Sequence, residues 1–299
     1  MLKRTLPWNQ FGTDISNATS IDEAMRMSKL DWEVASNPIF DAQGMQIPHF
    51  KANTRTDDGS VLGIVGDRYR IVQNKTAFTF TEDLIGEGMQ YEMAGVFHRG
   101  TAVWVLAKLP ETKILDENFD QHLVFINSHD GKGSVKVSSL PIRIVCSNAL
   151  NVNLKKAQRT WSANHASNIS YRLEEAKATL KLANNYINNL AIEAETLANK
   201  KFSDAEFEAL LDKIYPVETN DSDRKIRNIA TIKEGMFTCL EAPDIKKYRG
   251  TAYGILNAVT DYVDHCEPAR KTATFDEARW QNISTGHSTV DKIYAELSK

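Results

Sequence analysis

Four runs rich in β-branched and aromatic residues follow one another between Tyr91 and Leu140, with only short turn-forming segments between them. Tyr91 to Phe97, Thr101 to Leu109, His122 to Asn127 and Ser134 to Leu140 are too short for core helices and too apolar for loops, so they predict strands. His98, Arg99 and Gly100 join the first pair and Asp130 to Gly133 the last pair. Pro110 is expected to stop the second strand, because it removes a ladder N–H. Neighbours joined this closely pair antiparallel, and the simplest topology is a meander.

The flanking segments predict helices and a hairpin. Ser20 to Glu23 has the form of a capping box and opens a helix from Ile21 to about Leu30. Short strands are expected through Trp32 to Phe40 and Ile47 to Thr54, with Asp57, Asp58 and Gly59 turning the chain into Val61 to Val65. Asn74 should cap a helix carrying Ala77, Phe78, Thr81, Leu84 and Ile85 on one face, ended by Gly86 and Gly88. After Pro141, the residues Ile142, Val145, Cys146, Ala149, Leu150 and Leu154 change to helical spacing and predict a helix from Ile142 to Arg159.

From about Ser170, Leu173, Ala176, Leu180, Ala183, Ile187, Leu190, Ala194 and Leu197 repeat at alternating gaps of three and four, a seam for packing within the chain or for a dimeric coiled coil. Further helices are expected from a capping box at Ser203 and Glu206 to Pro216, from Ser222 to Leu240, and from Thr251 to Val263. The expected fold class is α+β: an antiparallel β-meander with packed helices in residues 1–165, then a helical layer in residues 166–299.

Charge is unevenly distributed. The 299 residues carry 36 Lys and Arg against 39 Asp and Glu, a net −3. From Gly131 through Leu173 there is no acidic residue, yet Lys132, Lys136, Arg143, Lys155, Lys156, Arg159 and Arg172 lie inside. Such a segment attracts phosphate, unless it is merely a solvated basic face. Trp161 and Tyr171 could stack on bases, and Asn148, Asn151, Asn153 and Gln158 could hydrogen-bond phosphates and sugars; Trp161 could equally anchor a core.

Local signatures of catalysis are missing. Gly131 to Ser134 is too short for a Walker loop, no GxSxG elbow occurs, and the seven His and three Cys show no metal-ligand spacing, so neither cofactor nor metal is expected. Cys146, Cys239 and Cys266 read as reduced structural thiols. A nuclease would need clustered carboxylates, and the adjacent pairs Asp57-Asp58 and Asp116-Glu117 read better as turn and loop residues. No apolar stretch approaches the roughly 20 residues of a membrane span, and residues 1–10 lack the apolar core of a secretory signal, so a cytoplasmic protein is expected.

Arg68 to Asn74, Ala94-Gly95, Val103 to Pro110, Ser128 to Gly131, Pro141 to Asn148, His165 and Asn257 to His265 together resemble a phage- and plasmid-encoded family known as domain of unknown function 932. The predicted order of helix, three or four strands and helix is also similar to the core of phage single-strand annealing proteins of the Red-beta, RecT and Erf kind. That resemblance implies a sheet with a helix packed on it, assembly into rings or filaments, and a basic groove holding one strand with its bases exposed.

The function then expected is ATP-independent binding and annealing of single-stranded DNA in phage or plasmid recombination, without a catalytic residue. Lys132, Lys136, Arg143, Lys155, Lys156 and Arg159 would neutralise phosphate, with Trp161 as a stacking residue. Arg68, Tyr69, Arg70 and Arg99 form a second rank, although Arg68 and Arg70 could simply be strand-edge charges. The expected partners are single-stranded DNA, further copies of the chain, and a phage exonuclease or single-strand-binding protein. The alternative is a protein-interaction module of a mobile element, an anti-defence or replication accessory factor that binds its partner through the seam.

Overall fold

A computed structural model describes residues 7–10, 12–82, 88–145, 147–166, 168–169, 175, 179–266 and 275–299. Its strands and first helices are β1 (Thr13–Asp14), α1 (Ile21–Met27), β2 (Val34–Phe40), β3 (Gln46–Arg55), β4 (Val61–Gly66) and α2 (Asn74–Phe78). There follow β5 (Gln90–Phe97), β6 (Ala102–Ile114), β7 (Glu117–Ser128), β8 (Val135–Arg143), β9 (Asn148–Ala149) and β10 (Thr160–Ala163). The C-terminal helices are α3 (Thr179–Asn199), α4 (Asp204–Ile214), α5 (Asp223–Leu240), α6 (Ala252–Asp261), α7 (Phe275–Thr285) and α8 (Ser288–Leu297).

The fold is α+β, with antiparallel sheets and the long helices in the C-terminal part. The large sheet runs β1-β5-β6-β7-β8-β10, with β9 also paired to β8, while β2-β3-β4 form a separate small sheet. Consecutive strands β5 to β8 make the expected meander.

Val103 to Ala107 on β6 are all fully buried, because both faces of the sheet are covered. Val103, Val105, Leu123 and Phe125 pack with Met25, Trp32 and Phe78 on one side. Trp104, Leu106 and Val124 pack with Trp8 and Trp280 on the other. The Trp280 ring lies 5.3 Å from that of Trp104 and 4.7 Å from that of Trp8, tying α7 and the N-terminal segment to the sheet. At the far end, Ile114 and Phe119 share a third core with Tyr186, Leu190, Phe207 and Tyr253 of the helical layer.

Three expectations need correction. Pro110 does not end its strand: β6 continues to Ile114 through an irregularity between Leu109 and Thr112, the bulge at which a strand tolerates a missing donor. Asn74 is not a cap, since Gln73 occupies that position. Asn74 is buried, and its Nδ2 donates to the Leu30 carbonyl at 3.0 Å. The end of that helix, with Leu84, Ile85 and Gly86, lies outside the described residues.

The third correction bears on function. Among the described residues, 142–159 form no helix: β8 runs to Arg143, β9 is two residues long, and an extended strap leads to β10. Asparagine side chains tie this strap to distant helices. Asn151 Nδ2 donates to the Ile283 carbonyl, Asn153 Nδ2 to Asp291 at 2.6 Å, and Asn148 Oδ1 pairs with His265 at 2.7 Å. Asn disfavours helix interiors because it bonds the backbone in other conformations, and here tertiary partners take it up. The sheet is therefore followed by a strap, not by the helix that the annealing-protein core would require. Cys146 lies outside the described residues.

The helical seam, by contrast, packs within the chain as expected. Ala183, Ile187, Leu190, Ala194 and Leu197 are buried inside this chain, Ala183 in the core shared with Val105 and Phe125 and the other four against Tyr186, Ile255 and Val259 among others. The intrachain packing is the one observed, and these five positions offer a partner nothing. Leu173 and Ala176 lie outside the described residues, as do Tyr171 and Arg172.

Candidate functional site

The expected basic residues divide into an internal group and a surface group. Arg143 is fully buried and clasps Glu117, itself 3% exposed, through Nε at 2.9 Å and Nη2 at 2.7 Å, with Asp244 3.4 Å from Nη1. Arg159 is 5% exposed and donates from Nη2 to the Thr285 carbonyl at 2.6 Å and from Nη1 to Ser139 and Ser284 at 3.4 Å. Both guanidiniums pin the sheet to the helices and are not offered to a phosphate. Trp161, opposite Val137 on β10, packs against the core.

Lys155 and Lys156 are exposed on the strap and line a pocket of about 260 Å³ with Asn189, Ile192, Glu193 and Tyr294. Among the described residues, none of the other expected basic residues lines that pocket. Arg99 is exposed in the β5–β6 turn beside His98. Arg70 is exposed, and its backbone N–H donates to the His165 carbonyl at 3.0 Å.

Arg68, Tyr69 and Lys132 do meet. They line one cleft of about 840 Å³, together with His49, Asp67 and His165. One wall is the end of β4 and the turn after it; the other is the loop Asp130 to Gly133. These walls touch because β4 carries Gly63 where any side chain would collide: a Cβ there would lie 2.6 Å from the Asp130 Cα. Gly131 has φ of 77°, the left-handed region that glycine enters without strain, so the loop folds back under Lys132.

Asp130 shapes that loop. Its Oδ1 accepts from the Lys132 N–H at 2.8 Å, the Gly133 N–H at 3.1 Å and the Ser128 hydroxyl at 2.7 Å. Burial alone would raise this carboxyl, but the Lys132 amide, Ser128 and the Gly133 amide outweigh it and hold the pKa below the ordinary carboxylate value. Asp130 is thus satisfied by its own loop, and the other acid at the cleft, Asp67, sits 2.9 Å from His49 Nδ1. Lys132 and Arg68 are left exposed at the mouth.

Beneath the cleft lies a buried polar network. The Tyr69 hydroxyl donates to the Ser128 carbonyl at 2.9 Å, and the Tyr69 ring stacks on His165 at 4.7 Å and 11°. Asn53 Nδ2 donates to the His129 carbonyl at 2.8 Å. Because Asn74 Nδ2 is spent on Leu30, its Oδ1 is the acceptor for His129 Nε2 at 2.8 Å. Burial lowers the His129 pKa to about 3 and also depresses that of His165, so both rings are neutral near pH 7. They hold the walls in place and contribute no charge.

Lys132 also faces a second pocket of about 260 Å³ on its other side, shared with Lys136, His98, Ser134 and Gln281. Lys132 thus bridges the two hollows, and Lys136 extends the basic line. Such an array can hold a polyanion in extended form.

Sequence reasoning passed over the apolar rim. Ile64, 60% exposed, lines the cleft, and Phe50, 50% exposed, lies opposite the cleft residue Gly66 in the β3–β4 ladder. The signal that could have found it was the poor alternation around His49-Phe50, where His49 adopts a positive φ of 66°. The carboxylate pairs that a nuclease would use are spoken for: Asp57 and Asp58 lie within 2.6 and 3.7 Å of Arg55, and Glu117 holds Arg143. Among the described residues, no group of three or more His, Cys, Asp or Glu could hold a metal ion, and no helix is long and apolar enough to cross a membrane.

Fold and site together define a mixed α+β protein with a polar cleft edged by cations between a small sheet and a loop of the large one. Residues 61–284, which include Arg68, Tyr69, Lys132 and His165, match the family described as Domain of unknown function (DUF932), and the chain belongs to that family. No curated protein and no solved structure matches it.

Proposed function

We propose that the chain binds single-stranded DNA along the line Arg68–Lys132–Lys136 and anneals complementary strands without ATP, in the recombination of phage or plasmid DNA. The observation that carries this reading is the meeting of Arg68 and Tyr69 with Lys132 at one open cleft, from segments more than sixty residues apart in the chain. Phosphates bound to these cations displace condensed counterions, which favours binding and lowers the repulsion between two strands brought together.

The binding line is shorter than the charge pattern suggested, because Arg143 and Arg159 are internal. Lys155 and Lys156 belong to a different surface and take no part. Self-assembly into a ring or filament belongs to the same proposal: among the described residues β2 and β10 end their sheets with one paired neighbour each, and such edges can add a strand from another copy. A phage exonuclease or a single-strand-binding protein would be the working partner in recombination.

The test is direct. Protein freed of carried-over nucleic acid should retard labelled single-stranded DNA at low salt and should speed the pairing of complementary oligonucleotides without ATP. Failure to retard the strand refutes the proposal; retardation without faster pairing keeps binding and removes annealing.

A further inference from the structure

Exposed apolar side chains gather on the small sheet. Phe40, Met45, Phe50, Val61 and Ile64, each at least half exposed, all lie on β2-β3-β4 or the turn within it. Register sorts three of them onto one face. Ala52 pairs with Ile64, Phe50 with Gly66 and Thr54 with Val61, and paired residues point to the same side. Residues two apart on one strand share a face, and the bulge between Asn53 and Thr54, which puts Leu62 as an extra residue in β4, brings Val61 back to that side, so Phe50, Val61 and Ile64 stand together. The opposite face is turned inward: Leu62 and Val34 belong to the main core, and Asn53 bonds the His129 carbonyl.

This outer face meets the cleft at the end of β4. Ile64 and Gly66 belong to both, and a Cβ at Gly66 would meet only the His49 carbonyl at 3.8 Å, so the space above it is open. Arg68 and Lys132 line that same cleft, so a ligand that lies over Phe50 and Ile64 and continues past Gly66 reaches them. An apolar, partly aromatic strip next to a row of cations suits a chain that alternates flat rings with phosphates. A duplex hides its base faces and could use only the cations, whereas a single strand uses both.

We infer that the outer face of the small sheet, through Phe50 and Ile64, is a stacking platform for the bases of a single-stranded nucleic acid whose phosphates lie on Arg68 and Lys132. The inference rests on the proposed function and adds to it what discriminates single strand from duplex. Stacking occupies the π face of a base and leaves its Watson–Crick edge free, so a strand held this way can still pair.

The experiment compares a short oligothymidylate with an abasic oligomer of equal length, which has the phosphates but no bases. The parent should hold the oligothymidylate about tenfold or more tighter, the scale of a single base–aromatic stack. Phe50→Ala with Ile64→Ala should bring the two ligands to equal affinity while leaving the abasic oligomer bound as before. Ile192→Ala, at an exposed position on α3, should keep the parent's preference. Arg68→Ala with Lys132→Ala should weaken both ligands alike.

If the Phe50 and Ile64 variant retains the full preference, the platform is refuted while phosphate binding stands. If that variant instead changes only the sedimentation of the protein, the strip is a contact between copies and the inference is overturned. If the parent holds neither ligand, the proposed function falls and takes this inference with it.

Discussion

The rings of Tyr69 and His165 lie 4.7 Å apart and 11° from parallel, so the turn after β4 is fastened to the end of β10 through stacked faces. The same tyrosine donates to the Ser128 carbonyl, which joins that turn to the end of β7. One side chain thus fixes three segments around the cleft.

Tyr69→Phe should keep the stack and lose the hydroxyl bond, lowering stability by about 1 kcal/mol. Tyr69→Ala should cost about 3 kcal/mol, since the half-buried ring goes as well. Denaturant midpoints measure both. Equal costs would show that the stack contributes nothing.

Arg143 supports the fold, so its loss should appear as instability before any effect on DNA. Arg143→Ala leaves Glu117 buried without its main partner, a change that typically costs several kcal/mol. Lys247 remains 3.1 Å from Glu117, which places the expected cost near the low end, at about 3 kcal/mol. A stable Arg143→Ala protein that fails to bind DNA would return this residue to the interface.

Lys155→Glu with Lys156→Glu changes as much charge as any pair in the basic window, yet these residues line a separate pocket with Asn189 and Glu193 and do not line the cleft. The double variant should retain parental binding to single-stranded DNA. In the parent, three phosphate contacts imply a log–log salt slope of about −2, at roughly −0.7 per contact for a single strand. A slope twice as steep, with loss of binding in the double variant, would mean a longer interface that includes the strap.

Asp264 gives stability an unusual pH dependence. Burial raises its carboxyl to about 7, against the pull of the Ala149 N–H at 2.8 Å and of Arg279, and Asp261 adds to the rise. In the unfolded chain it ionises near pH 4, so between about pH 4 and pH 7 the folded state binds the extra proton. Its contribution is complete below that range and is lost as the pH rises through it. His129 and His165, depressed by burial, work in the opposite sense and lose stability as the pH falls. Asp264→Asn should therefore remove a negative slope, so that variant minus parent stability grows from pH 5 to pH 7 in paired denaturant titrations. A constant difference would mean that Asp264 titrates normally.

The helix starts were legible because their signals are local. Ser203 accepts from the Glu206 N–H and Glu206 reaches back, as the four-residue pattern requires. At Ser20 only half the box forms, since the Glu23 carboxylate turns to Thr19. The strap from 144 to 159 was not legible. Its apolar spacing satisfies a helix, and what opposes that, the bonds of Asn151 to Ile283 and Asn153 to Asp291, spans 132 and 138 residues.

Charge counting shared this limit. It found Lys132 and Lys136 and treated Arg143 as their equal, because Glu117 lies outside the acid-free window and meets Arg143 only across the β7–β8 ladder. Arg68 and Tyr69 stood out as a string. Their meeting with Lys132 depends on Gly63 letting β4 press on the Asp130 loop, a contact that no local pattern records.

Charge reversal at the cleft decides whether its cations hold a single strand. Arg68 and Lys132 are exposed, so Arg68→Glu with Lys132→Glu should fold as the parent does, which circular dichroism and thermal unfolding can verify. Affinity for a labelled single-stranded oligonucleotide at low salt, read by fluorescence anisotropy, should then fall by about a hundredfold or more, as two phosphate contacts turn into repulsions. A folded double variant that binds with parental affinity would remove the cleft from DNA binding altogether.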